Sequence, residues 1–247
     1  MQQILAITRR ELIAYFTSSL AYLVMAAFLL LEGLIFFLVV VLVNDPVAQA
    51  MYPMQYFFGG TFFFWLFLLL LVPVVTMRLI AEERRSGTIE MLLTAPVTET
   101  QVIAAKFLAA YVFYLVLWLP TLVYPLLVSG FADLDPGPVA AGYLGIALTG
   151  VLFVAIGVLA SALAASQLSA AVIAFAILVV LFILPLLEWM VVRSPVVKKV
   201  LGHVNVWSMM EDFGRGLVDT RHLVFTLSAA VLALFLATKA LEARKVR

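Results

Sequence analysis

A chain of 247 residues that is 66% hydrophobic and only 12% charged, with a mean hydropathy of +1.18, has the composition of a polytopic membrane protein rather than a soluble one. Its net charge of +1 gives no nucleic-acid signature, and the lack of any cysteine excludes disulfides, thiolate metal sites and cysteine nucleophiles. Two histidines, His203 and His222, are too few for a histidine metal cage.

In residues 1–17, Ile4, Leu5, Leu12, Ile13 and Phe16 can share one face, with Arg9, Arg10 and Glu11 on the other side. Such a segment can lie in the membrane interface. The first apolar run is about 26 residues long, too long for the core of a cleavable signal, so it is expected to stay as a transmembrane helix. Six segments reach the ~20 residues that span a bilayer: 18–43, 56–78, 102–128, 139–164, 168–190 and 221–241. The expected fold is therefore all-α and polytopic, one membrane domain over residues 1–247.

Glu32, in LLLEGLIFF, is the one carboxylate well inside a span. A charge there is expensive and marks a functional position by default. Two readings stand side by side: a group on a substrate path or paired with another helix or subunit, and a protonated or hydrogen-bonded glutamate packed in the interior. The aromatic run Tyr52–Phe67 opens the second span. Interfacial anchoring accounts for Tyr52 and Tyr56, and the deeper rings Phe62, Phe63, Phe64, Trp65 and Phe67 read either as packing against lipid or a neighbouring subunit or as a hydrophobic substrate wall.

Between the second and third spans, Arg78–Gln101 reads RLIAEERRSGTIEMLLTAPVTETQ, a polar island in nearly continuous hydrocarbon. Gly87 allows a sharp turn. Ile89, Leu92 and Leu93 then fall at i, i+3 and i+4 to give a short helix one apolar stripe. Pro96 ends that helix, and Thr98 with Gln101 forms a T-x-x-Q capping box for the next one. Two readings stand: an apolar stripe held outside the bilayer between two spans that enters a partner groove, with Arg84 and Glu90 as charges beside it, and a merely solvated loop whose charges keep it out of lipid.

Small residues recur at i, i+4, i+8 in the fourth and fifth spans: Gly157, Ser161 and Ala165, then Ser166, Ala170 and Ala174. Such faces let helices approach closely. Pro73, Pro120, Pro125 and Pro185 are expected to kink their spans. Of the fifteen Lys and Arg, ten lie in the N-terminal arm, the 78–106 region and the C-terminal tail, whereas the 44–55 and 129–138 loops contain none. The positive-inside rule then puts both termini and the island in the cytoplasm. Residues 191–220 would be external despite Arg193, Lys198, Lys199 and Arg215, and read as two short helices folding back into the membrane, broken near Gly202 and Gly214–Gly216.

The pattern EERRSGTIEMLLTAPVT resembles the first cytoplasmic loop of ABC-2-type permeases, and the variant is most similar to the gliding-motility-associated and nitrous-oxide-maturation branches. FGRGLVDTRHLVF, near the last span, also resembles the gliding-motility branch. The resemblance implies that residues 1–17 are an amphipathic elbow helix, that 78–101 contains a cytoplasmic coupling helix, and that 191–220 is an external re-entrant element. It implies an ATPase-docking site at Arg84, Gly87, Ile89, Glu90, Leu92 and Leu93. It also implies two ATPase subunits and a second copy of this chain or a related permease, in the cytoplasmic (inner) membrane.

The chain itself has no G-x-x-x-x-G-K-[ST] loop, no H-E-x-x-H and no G-x-S-x-G. It is expected not to be an enzyme by itself and to hold no cofactor, ATP and Mg being bound by the partner ATPase. The expected function is that of an export permease. The alternative is a subunit that transmits ATP-driven motion to periplasmic machinery, with a periplasmic protein as a further partner. A proton-coupled carrier is disfavoured, because Glu32 stands almost alone.

Overall fold

The computed structural model describes residues 2–43, 56–87, 97–131, 133–190, 202 and 204–245. Among these residues all regular structure is helical, and six helices are long and apolar enough to cross a membrane. In chain order they are α1 (Gln2–Phe16), α2 (Ser19–Val43), α3 (Phe62–Thr76), the short α4 (Ala81–Arg85), α5 (Glu99–Trp118), α6 (Val123–Ser129), α7 (Pro136–Leu163), α8 (Gln167–Met190), α9 (Val206–Gly214) and α10 (Thr220–Lys245). A π-type turn (Tyr56–Gly60) precedes α3, and a 3₁₀ turn (Leu119–Leu122) joins α5 to α6.

The helix α7 is the centre of the bundle. Its most apolar window is 78% buried, against 22% for α2 and 28% for both α8 and α10. Small residues make this possible. A Cβ on Gly157 would stand 2.2 Å from the Thr76 hydroxyl, so the Thr76 side chain of α3 lies directly on the α7 backbone there. Of the small residues expected to pack, Gly157, Ser161, Ala170 and Ala174 do so, whereas Ala165 lies beyond the end of α7 and is exposed.

Prolines act unequally. Pro120 and Pro125 coincide with the break from α5 through the 3₁₀ turn into α6, while Pro73 and Pro185 lie inside α3 and α8. The second span begins later than its apolar run, because Gly59 takes φ +87 and separates the π-type turn from α3, where Thr61 caps the helix. The aromatic run divides by face. Phe64 and Trp65 are fully buried, and Phe62 and Phe63 point outward.

At the other end of the bundle, α9 packs into the span helices. Asn205 caps it, and Met209, Met210 and Phe213 are buried. The Met210 sulfur accepts from Thr149, thirteen residues into α7 and hence about 20 Å along it at 1.5 Å per residue. Gly216, at φ +83, turns the chain out toward α10, and His222 Nε2 lies 3.0 Å from Asp212 Oδ2 across that turn. Residues 191–201 and 203, the first part of the expected re-entrant element, lie outside the described residues.

Candidate functional site

The polar island begins as α4, and α4 is fastened from three sides. Ile80, its N-cap residue, supplies no side-chain cap. Ser161 of α7 does so instead: its hydroxyl accepts from the Ile80 and Ala81 amides at 3.0 and 3.2 Å and donates to the Met77 carbonyl at 3.3 Å. Arg84 returns the favour at the C-terminus of α7, donating to the carbonyls of Ala162 (3.2 Å) and Ala164. A guanidinium there satisfies carbonyls that the helix end leaves without partners and meets the negative end of its dipole. Gln167 of α8 donates to Glu82.

On the third side, Lys106 is only 1% exposed and lies between two carboxylates, 3.1 Å from Glu11 of α1 and 2.9 Å from Glu83 of α4. Arg10 closes the network from the solvent side, 2.7 Å from Glu11 and 2.9 Å from Glu83. One cluster therefore ties α1, α4 and α5 together. Burial pushes the Glu11 carboxyl up, but Lys106 and Arg10 outweigh it and hold the group below its ordinary value. Its contribution is thus complete at neutral pH and is lost only as the pH falls through that lowered value.

The network also fixes how α1 lies. Thr8, Glu11 and Tyr15 face the protein: Thr8 donates to the Ala105 carbonyl (3.3 Å) and Tyr15 to the Val75 carbonyl (2.7 Å), while Leu5 and Ile13 point outward. The inward stripe is thus more polar than the apolar pattern suggests, because a buried lysine needs a carboxylate. Between these elements is a cleft of about 320 Å³ lined by Glu11, Ser18, Arg78, Glu82, Lys106 and Gln167 among others.

After α4 the chain turns at Gly87, whose φ of +73 is the left-handed conformation that favours glycine. It resumes at Thr98, where both bonds of the capping box are made: Thr98 N–H to Gln101 Oε1 at 3.1 Å and Gln101 N–H to Thr98 Oγ1 at 3.3 Å. Residues 88–96 lie outside the described residues, and with them Ile89, Glu90, Leu92 and Leu93 of the expected docking site. Of that set, the structure describes Arg84 and Gly87.

Glu32 belongs to a different place. It is thirteen residues into α2, about 20 Å from the end of α2 that adjoins α1. It is fully buried, and neither carboxyl oxygen has a hydrogen-bond partner among the described residues.

A family model described as ABC-2 family transporter protein matches residues 68–239, from α3 into α10. The chain belongs to the ABC-2 transporter family. It is the membrane-spanning subunit of an ABC transporter, a kind of permease that works with an ABC ATPase. A comparison with curated proteins returned no match. The matched stretch of this ABC-2 permease includes α4, Lys106 and Ser161, whereas α1, with Arg10 and Glu11, precedes it.

In the sequence, Lys106 is one of the basic residues of the 78–106 region and Ser161 one of the small residues of the fourth span. A lysine eight residues past a capping box, inside an apolar span, was the available signal that a carboxylate must reach it.

Proposed function

We propose that this ABC-2 permease is an exporter subunit energised by an ATPase that docks on residues 88–96. The observation carrying this reading is the doubly fixed frame around that segment. On one side α4 is held by Ser161, Arg84 and Lys106, ending at the left-handed Gly87. On the other, the Thr98 capping box starts α5. A short segment between two supports bonded in this way can pass a push from a partner into α5 and α7.

In this reading Ile89, Leu92 and Leu93 enter a groove of the ATPase, as amphipathic helices do. Glu90 sets register and partner choice, Gly87 sets the exit angle, and Arg84 positions α4 against α7. ATP and Mg stay with the ATPase, and this chain performs no chemistry. Arginines and lysine at the α4 face support a cytoplasmic placement of that face and of both termini in the inner membrane. Two ATPase subunits and a second permease, identical or related, complete the assembly.

The test is Ile89→Asp. Anchors at the centre of such contacts cost more than ~2 kcal/mol when removed. The variant should insert normally yet lose co-purification with its ATPase and the stimulation of ATP hydrolysis. Normal coupling in that variant would reduce the island to a solvated loop.

A second reading, transmission of motion to a periplasmic protein without solute transport, draws on α9. This element is packed deep against α7 and tied to α10 by His222 and Asp212, so movement of the bundle must move it too. ATP hydrolysis stimulated by a periplasmic protein rather than by a solute would favour that reading.

A further inference from the structure

The centre of α2 holds a group that no coupling role uses. Glu32 is bracketed on its own helix by Phe28 and Phe36, one turn before and one turn after. Phe28 packs edge-on against Trp118 (4.9 Å between centroids, 78°), and Phe36 stacks on Tyr124 (4.4 Å, 8°). Trp118 and Tyr124 stand on either side of the 3₁₀ turn Leu119–Leu122. Glu32 therefore faces the one place where the third span is interrupted.

Of the hydroxyls around it, those of Tyr114, Thr121 and Tyr143 are committed elsewhere, and that of Tyr124 makes no bond to the carboxyl. Tyr114 donates to the Ile146 carbonyl at 3.1 Å. Thr121 donates to the Trp118 carbonyl at 2.7 Å, so the proton in its 3.1 Å contact with Tyr143 is the tyrosine's. The titratable groups near enough to feel a charge on Glu32 are Tyr114 of α5, Tyr124 of α6 and Tyr143 of α7. Among the described residues no cation meets it there. An ionised carboxylate with neither counter-charge nor donor is prohibitive in hydrocarbon, whereas the neutral acid is merely under-bonded.

We propose that Glu32 is a proton-binding site: the closed joint between the first and third spans holds it as a neutral carboxylic acid, and it ionises only when that joint opens to water. On release the O–H bond breaks, its electron pair stays on the carboxylate, and water entering the joint accepts the proton. On closure the proton returns before the water leaves. The joint is suited to opening. Aromatic contacts hold it, and the third span is not a continuous helix there, with Pro120 in the turn and Pro125 in α6. The site thus makes the packing of α2 against the 3₁₀ turn dependent on proton activity.

Two readings on the purified chain in lipid nanodiscs test this. The first is the infrared carbonyl band of a protonated carboxylic acid at neutral pH. It should be present in the wild type, absent from Glu32→Gln, and shifted but retained in Glu32→Asp, which covers the case in which the glutamine variant folds poorly. The second uses Val39→Cys in this cysteine-free chain. Val39 lies on α2 two turns beyond Glu32 and is 1% exposed. A water-soluble thiol reagent should reach that cysteine as rising pH abolishes the acid band. Placed in a Glu32→Gln background, it should stay protected. Lack of the acid band in the wild type at neutral pH overturns the proposal. So does a band whose loss leaves the cysteine protected.

Discussion

Lys106 and Glu32 are both sealed inside membrane-crossing helices, at 1% and 0% exposure, yet they solve burial in opposite ways. Lys106 has two carboxylates within 3.1 Å and a guanidinium behind them. Glu32 has no partner among the described residues. A charge with a full set of partners holds its surroundings in one arrangement, because leaving any partner unpaired is costly. A lone acid does the reverse: it is compatible with this packing only in its neutral form. The α4 face therefore reads as scaffold and the middle of α2 as a place able to change.

The strongest way to break that contrast is to remove the lysine. Lys106→Ala takes the buried cation from Glu11 and Glu83 and leaves both carboxylates to share the exposed Arg10, and removing one member of a buried ionic cluster costs ~3–5 kcal/mol. Thermal unfolding in detergent should show a large loss of stability. Lys106→Met with Glu11→Gln, which leaves Glu83 to Arg10, should regain most of it. If Lys106→Ala were neutral, the cluster would not be a latch.

A smaller effect is expected at Ser161. Alanine keeps the close crossing but leaves the Ile80 and Ala81 amides without their acceptor, a loss of ~1–3 kcal/mol for buried donors. Because α4 then loosens, proteolysis within residues 78–101 should quicken more than global unfolding does. Equal changes in both would mean that Ser161 serves the bundle at large and not the island.

The smallest of the three is Thr98→Ala, which removes one half of the capping box at a cost of ~0.5–2 kcal/mol. Its expected signature is fraying of the first turn of α5, seen as faster amide exchange there, with the Lys106 cluster intact. Faster exchange extending to Lys106 would mean that the cap and the latch are one unit.

These contrasts also explain what could be read from the sequence. Spans were legible because uninterrupted apolar segments of ~20 residues are a local feature of the sequence. The capping box at Thr98 and the turn at Gly87 were legible because both are local. Arg84 was not. In sequence it is one charge in a run, and its place beneath the C-terminus of α7 depends on a contact with Ala164, eighty positions away and unconnected by any motif. The Lys106 cluster draws on three segments and was invisible for the same reason. Glu32 was conspicuous as a residue, but which groups face it depends on a helix break in another span.

The central claim is that residues 88–96, held by this scaffold, receive the ATPase. The natural lack of cysteine permits a direct test with a single Leu92→Cys substitution. In the assembled complex, a short bifunctional cross-linker should join that cysteine to the ATPase subunit, and a water-soluble maleimide should label it slowly until the ATPase is stripped away. Free labelling in the intact complex, with no cross-link to the ATPase, would contradict the account.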